Sequence, residues 1–415
     1  MRIRALTVLV TVTAAAAFAS VPGIAADAAS PHARSERVCG TPAAGFAACL
    51  SLRRTDLAPL AKATPNGTPS GYGPTDIQGA YNLANAISTM HGAISNGATA
   101  PTVAIVDAYN DPNAENDLGV YRSQFGLPAC TTANGCFRKV NQSGGTKMPR
   151  NNGGWAQEIS LDLDMVSATC PDCKILLVEA SSSSFKNLGT AVQYAASQKP
   201  AAISNSYGGG DASDATYGKY YNFPGIAVTA STGDNGYQGG SYPASSSYVV
   251  AVGGTSLTKA SSTRGWAETV WSGAGSGCST YNAALAAAST FDTGCTKRAM
   301  ADVSAVADPG TGVAVYDSFA YQGVSGWLVF GGTSVSSPII ASVYALSGNT
   351  GNATTPTYAN ALPYKNDTTT ATTAGNMNDV TSGSNGTCSP TQLCTARTGW
   401  DGPTGLGTPN GTSAF

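Results

Sequence analysis

Gly331-Gly332-Thr333-Ser334-Val335-Ser336-Ser337-Pro338 follows a strand-like run, Trp327-Leu328-Val329-Phe330, and leads into the apolar, helix-like segment Ile339-Ile340-Ala341-Ser342-Val343-Tyr344-Ala345-Leu346. The pattern predicts a strand-to-helix junction with Ser334 at the turn. Unpaired N–H groups and the helix dipole suit negative charge developing on a substrate oxygen there. Acyl transfer is one reading of such a serine. A plain helix N-cap is the other, since Ser and Thr are common caps.

Outward from this junction, strand-like and helix-like segments alternate. Thr102-Val103-Ala104-Ile105-Val106-Asp107 is a continuous apolar run of the kind found in buried parallel strands. Residues 174–179, 202–207, 226–230 and 248–252 read as further strands, and 117–125, 155–168 and 186–198 as helices. The alternation predicts an α/β fold with a mostly parallel central sheet and helices on both faces, its ligands lying at the carboxyl ends of the strands.

Composition narrows the function. Of 415 residues, 11% are charged and 42% hydrophobic, so a large core is available, and a net charge of −2 with no charge run gives no footing for nucleic acid. Residues 1–28 read as a secretory signal: Arg2 and Arg4, the apolar stretch Ala5 to Ala19, and Ala26-Asp27-Ala28 as the cleavage site. No other run approaches the ~18 residues of a spanning helix. A secreted, extracellular protein is expected, with no membrane association after signal cleavage. Ten cysteines in five near-neighbour couples agree with export, and Cys170-Pro171-Asp172-Cys173 reads as a disulfide before a zinc or redox site. Residues 29–75 form a short propeptide or N-terminal arm ending in a Pro/Gly/Ser linker, and 76–415 form the main domain.

A nucleophilic serine needs a base, and only two histidines exist. His32 belongs to the N-terminal region. His91 lies on a helix end before the first strand, away from the strand ends. Glu158 and Asp162, in Trp155-Ala156-Gln157-Glu158-Ile159-Ser160-Leu161-Asp162, share a helix face about 5–6 Å apart, where like charges repel by a few tenths of a kcal/mol. Paired carboxyls raise one pKa and can hold a shared proton; a solvated acidic face is the plain alternative. Asp234, in Thr232-Gly233-Asp234-Asn235-Gly236, is either a turn residue or a neutral carboxyl able to donate to an oxyanion.

In combination these segments resemble the sedolisins, serine-carboxyl peptidases on a subtilisin-like fold, over about 340 residues from Gly73 to the end. The Gly-Thr-Ser-Val-Ser string is similar to the family's nucleophile motif, Glu158 to Asp162 to its Glu-x-x-x-Asp helix, and Thr232 to Gly236 to its Ser-Gly-Asp-Ser-Gly loop. The resemblance implies Ser334 as nucleophile, Glu158 as general base, Asp162 as its partner and Asp234 in the oxyanion hole. It implies an endopeptidase that cleaves proteins or peptides in acid, acting as a monomer. Asn378-Asp379-Val380-Thr381-Ser382-Gly383 and Gly399-Trp400-Asp401-Gly402 resemble the family's calcium site. One structural ion is implied, held by the Asp379 and Asp401 carboxylates and the carbonyls of Val380, Arg397 and Gly399; two unrelated Asp turns are the alternative. Arg397 stands where the family usually has glycine, and the family's large folded prosegment has no counterpart in the short 29–75 region. By the same resemblance Asp107 falls behind the catalytic acids and Tyr207 on the strand that binds substrate. Two rival readings remain: a subtilisin-type enzyme in which Asp107 and His91 assist Ser334, and a non-catalytic exported binding module that keeps the fold.

Overall fold

A computed structural model describes residues 33–60, 69–369 and 375–415. The signal segment 1–28 and His32 lie outside them. In chain order the strands are β1 (Ser35–Arg37), β2 (Ala48–Cys49), β3 (Leu52–Arg54), β4 (Thr102–Ala108), β5 (Phe137–Asn141), β6 (Lys174–Ala180), β7 (Ala202–Asn205), β8 (Tyr207–Gly210), β9 (Ala227–Ser231), β10 (Ser241–Tyr242), β11 (Val250–Lys259) and β12 (Trp266–Val270), followed by further strands given by residue range. The α-helices are α1 (Pro74–Ala80), α2 (Ala84–Ser95), α3 (Ala114–Gln124), α4 (Gly153–Thr169), α5 (Phe185–Ser197), α6 (Asp214–Tyr217), α7 (Thr333–Ser347) and α8 (Leu362–Asn366).

The central sheet runs β12-β11-β9-β7-β4-β6-β5, with Val303–Val306 also paired to β11. All of its pairings are parallel except β11 with β12. The predicted mostly parallel α/β sheet is therefore present. Val103 to Ala108 of β4 are all buried, as a strand covered on both faces must be. α4 and α7 pack on each other and on β4, α7 also on β7, and α5 on β4 and β6.

Two smaller sheets tie the N-terminal arm to this body. β1 and β3 join the strands Val324–Gly331 and Val313–Tyr321, and β2 joins β8 and β10. These pairings escaped the sequence reading because each arm strand has only two or three residues and no apolar alternation. The five cysteine couples are all disulfides: Cys39–Cys49, Cys130–Cys136, Cys170–Cys173, Cys278–Cys295 and Cys388–Cys394.

Candidate active site

Each candidate side chain reaches the site for a local reason. The strand Val324–Gly331 ends at Gly332, whose φ of +99° suits glycine, and α7 begins at Thr333. A Cβ on Gly332 would lie 2.1 Å from the Leu50 carbonyl oxygen and 2.9 Å from Asp234 Oδ2, so only glycine fits. Ser334 sits in the first turn of α7. Pro338, inside that helix, has no N–H to offer the Ser334 carbonyl. The Ser206 hydroxyl lies 3.3 Å from this freed acceptor. α4 is buried along nearly its whole length and opens with an Asn152 cap that accepts the Trp155 amide. Burial all round explains why its acids are not solvated: Glu158 and Asp162 are both fully buried.

The structure brings Ser334, Glu158, Asp162 and Asp234 together at the carboxyl ends of β4, β7 and β9, and adds Asp107 from the end of β4. Ser334 Oγ donates to the Ser206 carbonyl at 3.2 Å. The Glu158 carboxyl faces the hydroxyls of Ser334 and Ser51, yet neither of its oxygens has a partner in good hydrogen-bond geometry. Burial, reinforced by Asp107, pushes the Glu158 pKa well above the carboxylate range. Burial raises Asp162 strongly too, with Asp107 and Glu158 adding to it and the Ser206 hydroxyl opposing it. Asp107 is raised by burial and by Glu179 behind it. Three mutually repelling carboxyls in a dry site hold protons between them.

Ser206 shows where one of these protons goes. Its hydroxyl lies 2.7 Å from Asp162 Oδ1 and 3.3 Å from the Ser334 carbonyl. A single hydroxyl hydrogen cannot serve both acceptors. A protonated Asp162 resolves this by donating to Ser206, which then donates to the carbonyl.

Asp234 lies against the start of α7. Its Oδ1 accepts the Thr333 amide at 2.8 Å and the Thr333 hydroxyl at 2.9 Å, while Oδ2 is buried without a partner. Burial raises its pKa to about 6, against the pull of the Thr333 donors and Arg37. With Oδ1 occupied, Oδ2 is the oxygen free to carry the proton.

The rival arrangement with His91 is not formed. His91, on α2, is two-thirds exposed and pairs with Asp172 at 3.0 Å, whereas Ser334 is fully buried. It is the only histidine among the described residues. Asp107 faces the α4 acids rather than an imidazole.

The C-terminal set is also assembled. Asp379 Oδ2 accepts the Gly399 amide at 2.9 Å, and Oδ1 is buried without a partner. Asp401 accepts from Thr404 and, at 3.4 Å, from the Arg397 amide. Burial raises the pKa of both carboxyls, that of Asp401 to about 7 with Asp379 contributing. Arg397 has an ordinary φ, so a side chain is unstrained there, and its Nε reaches the Trp400 carbonyl at 2.9 Å.

Residues 143–404 match the subtilase family, and the chain belongs to it. Within that family its relatives are sedolisins. It is 27% identical to kumamolisin of Bacillus sp. (strain MN-32) over 392 residues, covering 87% of this chain and 66% of the relative. It is 26% identical to sedolisin of Pseudomonas sp. (strain 101) over 387 residues, covering 84% of this chain and 61% of the relative. The chain thus spans about two thirds or less of these relatives' lengths. The solved Pseudomonas sedolisin, a serine-carboxyl proteinase complexed with two molecules of pseudo-iodotyrostatin, superposes with a TM-score of 0.64 at 25% identity over 83% of this chain and 96% of that one.

The raised carboxyls also set a stability profile. Asp234 titrates at about 6, Asp111 and Glu179 at about 7 and Asp317 at about 8, each lifted chiefly by burial. Unfolded, they titrate near ~4. Between those limits the folded chain binds more protons than the unfolded one, so stability is full below about pH 4 and is lost as pH rises through about 6 to 8. Calorimetry is expected to show Tm falling from pH 4 to pH 8; a Tm that rises over that range would contradict these burial-driven shifts.

Proposed function

We propose that this chain is a secreted serine-carboxyl endopeptidase that hydrolyses proteins and peptides in acid. Ser334 attacks the peptide carbonyl, Glu158 takes its proton and returns it to the leaving amine, and Asp162 holds Glu158. Protonated Asp234 and the Ser334 amide bind the oxyanion. The observation that carries this reading is the buried carboxyl cluster facing Ser334, with no imidazole near it among the described residues. Glu158 must be ionised to act, and the Ser206 contact of Asp162 and a proton on Asp107 let the cluster's charge reside there. The hydroxyl of Ser334 then turns from the Ser206 carbonyl to Glu158. Export is supported by the leader sequence and the five disulfides. Among the described residues no helix is long and apolar enough to cross a membrane.

The pH of action follows from Asp234. Its donor proton is present below about pH 6 and lost above it. The test is casein digestion from pH 3 to 8 by wild type and His91→Ala, together with labelling of Ser334 by a peptide aldehyde at pH 4. Equal acid activity in the two proteins is expected. Loss of activity in His91→Ala would restore the imidazole reading, and failure to label Ser334 would favour a binding module.

Residues 379–401 fit one calcium ion. Among the described residues no three carboxylate, histidine or cysteine side chains form a metal group. A set of two carboxylates and three carbonyls does not need one. The buried, unpartnered Asp379 Oδ1 and the mutual repulsion of Asp379 and Asp401 are what a bound cation would relieve. Its contribution would be structural, about 2.7 kcal/mol at a hundredfold excess over Kd. EGTA is expected to lower the Tm of wild type and to leave Asp379→Asn unmoved; equal shifts in both would remove the site.

A further inference from the structure

A cation stands at the far end of the carboxyl row that leads away from Ser334. β4, β6 and β5 lie side by side, with β5 at the edge of the central sheet. Parallel register sets Glu179 of β6 opposite Asp107 of β4, and Asn141 of β5 opposite Glu179. Residues paired across neighbouring strands share a face of the sheet, and so do residues two apart along one strand. Lys139, two before Asn141, therefore projects on the face that carries Glu179 and Asp107, where α4 packs. Its Nζ lies 3.1 Å from Glu179 Oε1 and also donates to the Asp111 carbonyl. The Lys139 side chain is 16% exposed, whereas Glu179, Asp107, Glu158 and Asp162 are fully buried.

Hydrogen-bond donors are scarce along this row. Glu179 Oε1 accepts the Asp111 amide at 3.0 Å as well as Lys139, but Glu179 Oε2 and both oxygens of Asp107 and of Glu158 are buried without a partner. Glu158 faces Asp107 from β4, Asp162 on its own helix and Asp234 after β9, and all three are acids. Lys139 faces Glu179 and Asp111, and Asp111 in turn meets Asp117 of α3 and Asp317 of the strand Val313–Tyr321. Of the other described cations beside these acids, Arg37 acts on Asp234 and Arg122 on Asp164. Lys139 is left to serve the row that ends at Glu158.

We infer that Lys139 is the counter-ion of the carboxyl cluster and a positioning residue of the reaction, supporting the negative charge that Glu158 must carry to take the proton of Ser334. The inference rests on the serine-carboxyl reading above. Burial lifts Glu179, the direct contact of Lys139, to about 7, against the pull of Lys139 and the Asp111 amide, so Glu179 is neutral in acid. The ammonium charge is then not cancelled by its neighbour, and it acts on whichever carboxyl in the buried row is ionised. Two strand spacings and the step from sheet to helix put Glu158 about 10–15 Å away, where at an effective dielectric of about 20 a unit charge moves a carboxyl pKa by about one pH unit. A cation favours the ionised form, so its removal raises the pH at which Glu158 gains a proton.

The test is kcat/KM for peptide hydrolysis across the acid range in wild type, Lys139→Met, Lys139→Gln, Lys139→Arg and Glu179→Gln, each checked for folding by circular dichroism. In Lys139→Met the acid limb is expected to move up by about one pH unit, a loss of up to about tenfold at its foot, while the limb near pH 6 set by Asp234 stays in place. Lys139→Gln, which keeps a donor for the Asp111 carbonyl, should shift the limb in the same way. Lys139→Arg keeps the charge and should restore the wild-type limb, and Glu179→Gln, a mimic of the neutral acid, should leave it unmoved. Neutral variants that keep both limbs in place, or that lose activity equally at every pH, overturn the inference and leave the peptidase reading standing. So does a Lys139→Arg profile shifted like that of Lys139→Met. A wild type without activity in acid, or a Glu158→Gln variant that keeps it, overturns both.

Discussion

Ser334→Ala is expected to lower kcat for peptide hydrolysis at pH 4 by about 10⁶, and Glu158→Gln by a comparable factor, with little change in KM. The two side chains act as a unit, so the double variant should be no slower than either single one. Asp162→Asn should cost less, about 10⁴, because it removes the partner of the base rather than the base. Glu158→Gln is informative because the fold should tolerate it. Glu158 is fully buried, and burial already favours its neutral form. A neutral amide of the same shape therefore mimics the protonated acid, and Tm should hold or rise while activity vanishes. Steady-state kinetics with calorimetry on the same preparations checks both halves. Wild-type kcat in Glu158→Gln would end the carboxyl-base mechanism.

Asp234 should give the second largest effect, and one that separates its charge from its shape. Asp234→Ala removes a donor to the oxyanion and is expected to cost about 10² to 10³ in kcat. In wild type, kcat/KM should fall tenfold per pH unit above about pH 6, as Oδ2 loses its proton. Asp234→Asn keeps a neutral N–H donor at every pH. Its profile should lose that limb and extend towards neutrality, even if its maximum is lower. An unchanged limb in Asp234→Asn would mean that another group, such as Asp107, titrates there.

How much of this was readable depended on the range of the interactions. The Glu158/Asp162 pair was legible because four residues along a helix bring two side chains to one face, whatever surrounds them. The strands β4, β6, β7 and β9 were legible as apolar runs, since parallel strands bury both faces. The five disulfides followed from neighbouring cysteines. By contrast, nothing local to Asp107 reveals its contact with the α4 acids. It lies some fifty residues before Glu158 and meets it only because β4 runs beneath α4. The strands of the arm carried no signal at all, because Ser35–Arg37 and Leu52–Arg54 are short and partly charged and find partners only in distant segments.

The sequence alone determined the chemical inventory: a serine at a strand-to-helix turn, acids spaced for one helix face, an aspartic acid after a strand, and almost no histidine. Each of these depends on residue type and short spacing, which the chain carries without folding. Tertiary structure decided what the inventory faces. Burial turned the acids into proton holders, since desolvation needs a core. Long-range strand pairing laid Leu50 against Ser334, a contact that no local pattern encodes because its two sides are almost three hundred residues apart.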